Sequence, residues 1–322
     1  MRLLARHPAV GSLVTGMILS CAAAAAENTP VTLGPAPRDE SGLFRNFNHP
    51  LERAGPGVTL PFFLRRALGR LRGRPEGLPA PEPEASARLA AAMAESPTTV
   101  TWVNHASLLV RMEGITLLTD PTWANAAGPG GVLGARRLAP AGLGVEELPA
   151  IDAVLISHNH YDSFDLDALR ALAERNPKTR FLVPLGDGRL LRDARIENFE
   201  EFDWSESLTL GTVTITCLPS QHWSRRGLFD ERRSLWASWA VTGPSRRFYF
   251  AGDSGYFGGF AAIGAALGPF DLAALPIGAY DPPAMMAAMH MNPEQAVQAT
   301  LDLDASRALG IHFGTFDLTD EA

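Results

Sequence analysis

From Thr98 onward, short apolar runs separated by turn residues follow one another closely, and each has the length of a strand. The runs are "TVTWV", "SLLVRM", "ITLLTD", "AVLIS", "RFLVP", "VTITCLP", "LWASWAVT", "RFYFAG", "LAALPI" and "RALGI". Between and after them, "DLDALRALAER", "FAAIGAALG" and "NPEQAVQATLDL" predict helices, the last with Asn292 as N-cap and Pro293 at the first helical position. Strands outnumber helices but mix with them along the chain, which predicts a layered α/β fold. No repeat is visible in the sequence.

Residues 27–97 have a different texture, rich in Pro, Arg and Gly, with "RGRPEGLPAPEPEA" reading as a linker or surface arm. Within this arm, "PFFLRRALGRLRGR" predicts a helix that starts at Pro61 and carries Leu64, Leu68 and Leu71 on one face and arginines elsewhere. Packing of that face on the domain that follows is the first expectation, and seating on anionic lipid is the other reading. Before the arm, residues 1–26 place Arg2 and Arg6 ahead of a short apolar run and small residues, the layout of a secretory signal. "ILSC", ending at Cys21, resembles the lipobox of bacterial lipoproteins, whereas Ala24 to Ala26 suit an ordinary signal peptidase, and both routes stay open. Gly11, Thr15 and Gly16 interrupt the apolar run, which argues against a membrane span. The expectation is an exported, periplasmic protein, anchored as a lipoprotein if Cys21 is lipidated. The folded domain proper is then residues 98–322.

Of the 322 residues 46% are hydrophobic, ample for a packed core. A net charge of -7 and a single lysine, Lys178, leave no cationic footprint for nucleic acid. With two cysteines in the chain, Cys21 and Cys217, neither a disulfide framework nor a cysteine-based zinc site is available.

Candidate chemistry sits where the predicted strands end. "AVLIS" runs into His158, His160 and Asp162; "VTITCLPSQ" into His222; "RFYFAG" into Asp253; "RALGI" into His312. Strand exits are where open α/β sheets present ligand-binding groups. One edge of the sheet would therefore collect four of the eight histidines together with two carboxylates. Imidazole and carboxylate suit zinc, manganese or iron.

With "FRNFNHP", "WVNHASLLVRMEGITLLTDPTW", "IDAVLISHNHYD", "PSQHWSRRGLFD", "GPFDLAALPIGAYDP" and "GIHFGTFDLTDE", these residues make the chain resemble the metallo-β-lactamase superfamily, marked by H-x-H-x-D-H. Within it, the chain is similar to the N-acylphosphatidylethanolamine-hydrolysing phospholipase D family and its bacterial relatives. The resemblance implies a four-layer αββα sandwich. It assigns His158, His160 and His222 to a first metal, Asp253 to a bridge, and Asp162 and His312 to a second metal, whose further histidine is replaced here by Ser163. Serine is a poor zinc ligand, so the second metal should keep Asp162, Asp253 and His312 and bind more weakly. The implied cofactor is one or two zinc ions, or manganese or iron in their place. Asp162 and His290 are the residues placed at the chemistry, although His290 also suits a packing role at a helix start. Tyr161, Tyr256 and Tyr280 are substrate-binding candidates by resemblance. Arg226, just after His222, reads as a phosphate contact or as part of a solvated loop. Asp120 suits a role orienting a ligand histidine, and His105 reads as structural. The implied activity is phospholipase D-type hydrolysis of an N-acylphosphatidylethanolamine-like lipid by metal-activated water, at a membrane surface or on a smaller phosphodiester. Hydrolysis of lactones, esters or β-lactams is the first alternative, and a non-catalytic metal- or lipid-binding protein, suggested by Ser163, the second. The chain stops at Ala322 where relatives continue, as a fragment or with a short end.

Overall fold

The computed structural model describes residues 32–47, 54–69 and 82–321. The expected signal, Cys21 and the "RGRPEGLPAPEPEA" stretch up to Pro81 lie outside them. Among the described residues no helix is long and apolar enough to cross a membrane.

Two six-stranded sheets form the centre, and each is laid down in chain order. The first holds β1 (Thr99–Asn104), β2 (Ser107–Met112), β3 (Ile115–Thr119), β6 (Ala153–Leu155), β7 (Arg180–Pro184) and β8 (Phe199–Phe202). The second holds β9 (Ser207–Leu210), β10 (Val213–Leu218), β11 (Ser238–Thr242), β12 (Arg247–Phe250), β13 (Leu272–Pro276) and β14 (Ala308–Ile311). A small hairpin, β4 (Ala126–Ala127) with β5 (Ala135–Arg136), stands apart. Each sheet starts with antiparallel hairpins and turns parallel from β3 to β6 and from β12 to β13 onward. All ten apolar runs become strands. The acidic β8, "FEEF", and the half-exposed β9, "SLTL", are edge strands whose weak apolar pattern hid them.

Side-chain alternation sorts these strands into layers. Leu108 and Val110 of β2, Leu155 of β6, Ile215 of β10 and Trp239 and Val241 of β11 point into the space between the sheets. Their neighbours turn outward: Leu109 and Val154 pack under α2 (Ala85–Glu95), α3 (Leu166–Arg175) and α4 (Gly188–Asp193). Ala240 and Tyr249 pack under α5 (Gly259–Leu267) and α7 (Pro293–Asp302), with a short α6 (Pro283–Met286) between those two in the chain. Because both faces of each sheet are covered, the strands read as nearly continuous apolar runs. The result is the four-layer αββα sandwich.

The amino-terminal helix departs from expectation. It spans α1 (Pro56–Gly69), so Pro56 opens it and Pro61 lies inside. Leu64 and Leu68 are exposed, while Phe62 is buried. Arg66 reaches across to the Thr319 carbonyl at 2.7 Å and the Asp317 carboxylate at 2.6 Å. A buried aromatic and an arginine clamp one turn apart, rather than the leucine stripe, fasten this helix to the end of the chain.

Trp239 ties the sheets together. It is fully buried on β11, and its Nε1 donates to the Ile156 carbonyl at 2.8 Å, just before the first ligand histidine. Trp239→Phe should lower the unfolding free energy by about 2 kcal/mol, from the lost donor to a buried carbonyl plus imperfect filling. Urea denaturation with an unchanged m-value would measure it.

Candidate metal centre

The strand exits of both sheets meet at one end of the sandwich. Eight histidines occur in the chain; His7 and His49 lie outside the described residues, and the other six converge here. His158 Nε2 lies 2.8 Å and His222 Nε2 3.2 Å from His160 Nδ1. Asp253 Oδ2 stands 3.7 Å from His158 Nε2 and 3.8 Å from His222 Nε2. Ligand atoms about 2.1 Å from a tetrahedral ion are about 3.4 Å apart, so these spacings suit one divalent cation. Beside this group, His312 Nε2 is 3.0 Å from Asp253 Oδ2 and 3.4 Å from Asp162 Oδ2. The His312 contacts are close but lack hydrogen-bond alignment, and its Nε2 and Asp253 Oδ1 are both buried without a hydrogen-bond partner. A buried carboxylate oxygen and a buried imidazole nitrogen left without partners are lone-pair donors that a cation would satisfy.

Electrostatics point the same way for His158 and His222. Burial pushes His158 down to about 3, with His160 adding to the shift, and burial likewise takes His222 well below the usual imidazole range. Both are therefore neutral near pH 7, the form that ligates metals. Burial would raise Asp253, but the charge and contact of His312, followed by His158 and His222, hold its carboxyl well below the usual range. Burial opposes Asp162 too, and His105 and His312 keep it ionised. His312, which burial alone would lower, is raised to about 10 by Asp253 and Asp162.

The ligand imidazoles are held from behind. Ser157 Oγ donates to Asp120 Oδ2 at 2.5 Å and so accepts from His158 Nδ1 at 2.8 Å, leaving Nε2 bare. Asp120 thus acts on the histidine through Ser157. His222 Nδ1 donates to the Met289 carbonyl at 3.0 Å. Its backbone is gripped by Asn46, whose Nδ2 donates to the His222 carbonyl at 3.0 Å while its Oδ1 accepts from His222 N at 3.2 Å and from Trp236 Nε1 at 2.9 Å. Two glycines permit the close approach of the loops: at Gly252, with φ +58°, a Cβ would stand 2.3 Å from Ser157 Cβ, and at Gly278 one would stand 2.0 Å from the His312 carbonyl.

The remaining sequence candidates divide. His290 belongs to the cluster, its ring 5.2 Å from His222 and 5.3 Å from His312, and burial pushes it down to about 4. Tyr161 lines the cavity above the cluster, and Tyr280 is half-buried beside Ala279, another lining residue. Tyr256 is not brought to this cavity: its hydroxyl donates to Asp302 at 2.6 Å and its ring lies on Phe260. Arg226 is half-buried and engaged within the protein. Its Nη1 donates to the Phe164 carbonyl at 2.8 Å and the Asn159 carbonyl at 3.1 Å, and its guanidinium lies 4.1 Å over the Tyr161 ring. Arg225, its neighbour, is the cation that lines the cavity. His105, expected to be structural, is fully buried with Nε2 3.4 Å from Asp162 Oδ2 and its ring 4.2 Å from that of His312. Sequence reasoning missed His105, Asn46 and Ser157; the unusual density of histidine at the site was the one available signal for the first.

The family model described as beta-lactamase superfamily domain matches residues 116–313. N-acyl-phosphatidylethanolamine-hydrolyzing phospholipase D 1 of Caenorhabditis elegans is 42% identical over 234 residues, 70% of this chain and 66% of that protein. An uncharacterized protein of Mycobacterium tuberculosis is 44% identical over 226 residues, 68% of this chain and 59% of that protein. The chain thus spans about three fifths to two thirds of the length of these relatives. Among solved structures, a metallo hydrolase from the archaeon Ignicoccus hospitalis superposes with a TM-score of 0.54 at 21% identity, covering 70% of this chain and 86% of that one.

Asn46→Ala leaves the His222 backbone without either partner. Metal affinity should fall about 10-fold or more, as for other groups that orient a ligand from behind. Competition with a chromogenic chelator would read the change.

Proposed function

Because the chain belongs to the beta-lactamase superfamily, we propose that it is a metal-dependent hydrolase, and more narrowly a phospholipase D-type phosphodiesterase acting on an N-acylphosphatidylethanolamine-like lipid. The observation that carries the narrower reading is the cavity over the histidine cluster. His160, Asp162, Asp253, His290 and His312 form its floor, Met285, Met286, Met289, Trp223 and Leu318 supply apolar wall, and Arg225 stands at its edge. A charged floor under an apolar wall fits an anionic group joined to hydrocarbon, and methionine adapts to chains of different shape.

His158, His160, His222 and Asp253 would hold the first ion, with zinc the best match to their chemistry. When bound, it supplies a nucleophilic water near neutral pH and positive charge for the phosphoryl oxygens. The protein's own groups do the rest. Arg225 binds the phosphate, the methionine wall excludes water and seats the apolar part, and Asp162, kept ionised by His105 and His312, offers a carboxylate oxygen to orient the attacking water. His290, kept neutral by burial, offers a ring N–H to a substrate oxygen. Lipid access is supported by exposed apolar side chains on two segments next to residues of the cavity. Leu60, Phe63, Leu64 and Leu68 lie on α1, which packs beside α6 of the methionine wall, and Leu228 and Phe229 follow the Arg225 turn. Export through residues 1–26 belongs to the same proposal and would put this surface against a periplasmic membrane leaflet.

His158→Ala or His222→Ala should each remove most bound metal and lower hydrolysis by at least about 10²-fold, since two imidazoles and one carboxylate leave an open site. Metal analysis alongside a panel of phosphodiesters, lactones and β-lactams tests the reading. Turnover of lactones or lactams with none on any phosphodiester would overturn the phospholipase assignment, and full activity in both variants would overturn the metallohydrolase itself. Mass spectrometry of the membrane and periplasmic fractions should find chains beginning at Cys21 or near Glu27; an intact Met1 on cytoplasmic protein would refute export.

A further inference from the structure

We infer that His105 is a ligand of a second metal ion, standing in for the imidazole that Ser163 lacks. The inference rests on the metal-centre reading above and deepens it. His105, Asp162 and His312 each offer one ligand atom, and the three atoms lie within 4.8 Å of one another, all buried. Both imidazole Nε2 atoms are 3.4 Å from the same oxygen, Asp162 Oδ2. That separation is long for a charge-assisted hydrogen bond, normally about 2.7 to 2.9 Å, and equals the edge expected between ligands of a tetrahedral ion. Asp253 Oδ2 adjoins this set, 3.0 Å from His312 Nε2. Two imidazoles and one carboxylate then face the second position, the three protein ligands that a zinc site with an open position keeps.

The route by which His105 arrives differs from that of the other ligands. It sits at the β1–β2 turn with φ 45°, in the left-handed region, where the Thr315 hydroxyl accepts from its N–H at 2.8 Å. Its carbonyl accepts from His312 N at 3.1 Å and from Trp102 Nε1 at 2.9 Å. The turn is therefore bonded directly to the loop carrying His312, and the two rings are fixed as a pair. Ser163, at the position the resemblance assigns to a histidine, is fully buried and its Oγ makes no hydrogen bond.

A histidine that merely steers Asp162 and one that coordinates are separated by stoichiometry and rescue. The full chain, stripped with chelator and reloaded with zinc, should bind about two ions, and His105→Asn about one. Asparagine is the chosen replacement because it tolerates the left-handed backbone, and retention of the first ion shows that the variant is folded. Ser163→His in the His105→Asn background should restore the second ion, because it returns an imidazole to the same position from the other side. Two ions bound by His105→Asn, or one bound by both the parent and His105→Asn, would overturn the assignment while leaving the first site standing. No zinc in the parent would overturn this inference together with the metallohydrolase reading.

Discussion

Two carboxylates buried at one end of the sandwich set the terms for everything around them. Asp162 and Asp253 are 7% and 2% exposed, and the groups that hold them ionised are imidazoles rather than arginine or lysine. Desolvating a carboxylate costs several kcal/mol unless charge and hydrogen bonds compensate, and His312 alone cannot neutralise two of them. A cation brought from outside would complete the compensation, and the neutral nitrogens of His158 and His222 are arranged for it. A buried cluster of this composition is costly empty and stable filled, so folding and metal binding are coupled.

Part of the backbone strain gathers around these carboxylates. His105, Asp120, Ala279 and His312 all occupy left-handed backbone, at φ 45°, 31°, 60° and 61°, conformations that cost of order 1 to 3 kcal/mol each. Around them the two sheets are joined by Trp239 to Ile156 and by Ala237 N to the Ser157 carbonyl at 2.7 Å, while the Asn46 clamp holds the His222 loop to Trp236. These bonds run to residues adjacent to ligands, not to the ligands' coordinating atoms. The core therefore over-determines the loops, and the loops can hold strained geometry with ring nitrogens left free.

Much of this was legible in the chain, for identifiable reasons. Strands covered on both faces announce themselves as apolar runs, and ligands at strand exits follow from them, so His158, His160, His222, Asp253 and His312 could be read together. Edge strands β8 and β9 could not, because their exposed sides dilute the pattern with Glu200, Glu201 and Thr209. The leucine stripe of α1 misled because two side chains, Phe62 and Arg66, outweigh it: one buried ring and one arginine on Asp317 and a pair of carbonyls fix the helix rotation. Arg226 and Tyr256 show a further limit. Sequence proximity to a site says which loop a residue is on, whereas its partners, carbonyls and a tyrosine ring for one and Asp302 for the other, decide which way it faces.

Arg226 also shows how a site divides charge between structure and substrate. Its guanidinium is spent on holding the Asn159 and Phe164 carbonyls, which brackets the segment carrying His160, Asp162 and Ser163. The planar fork suits that bridging of fixed oxygens, and cation–π contact with Tyr161 stiffens it further. Arg225, its neighbour on the same turn, lines the cavity instead, and Leu228 and Phe229 that follow it are exposed. On the phospholipase reading proposed above, an anionic lipid would have to bring its hydrocarbon out of water and its charge to Arg225 together, a condition that a small soluble ester does not face.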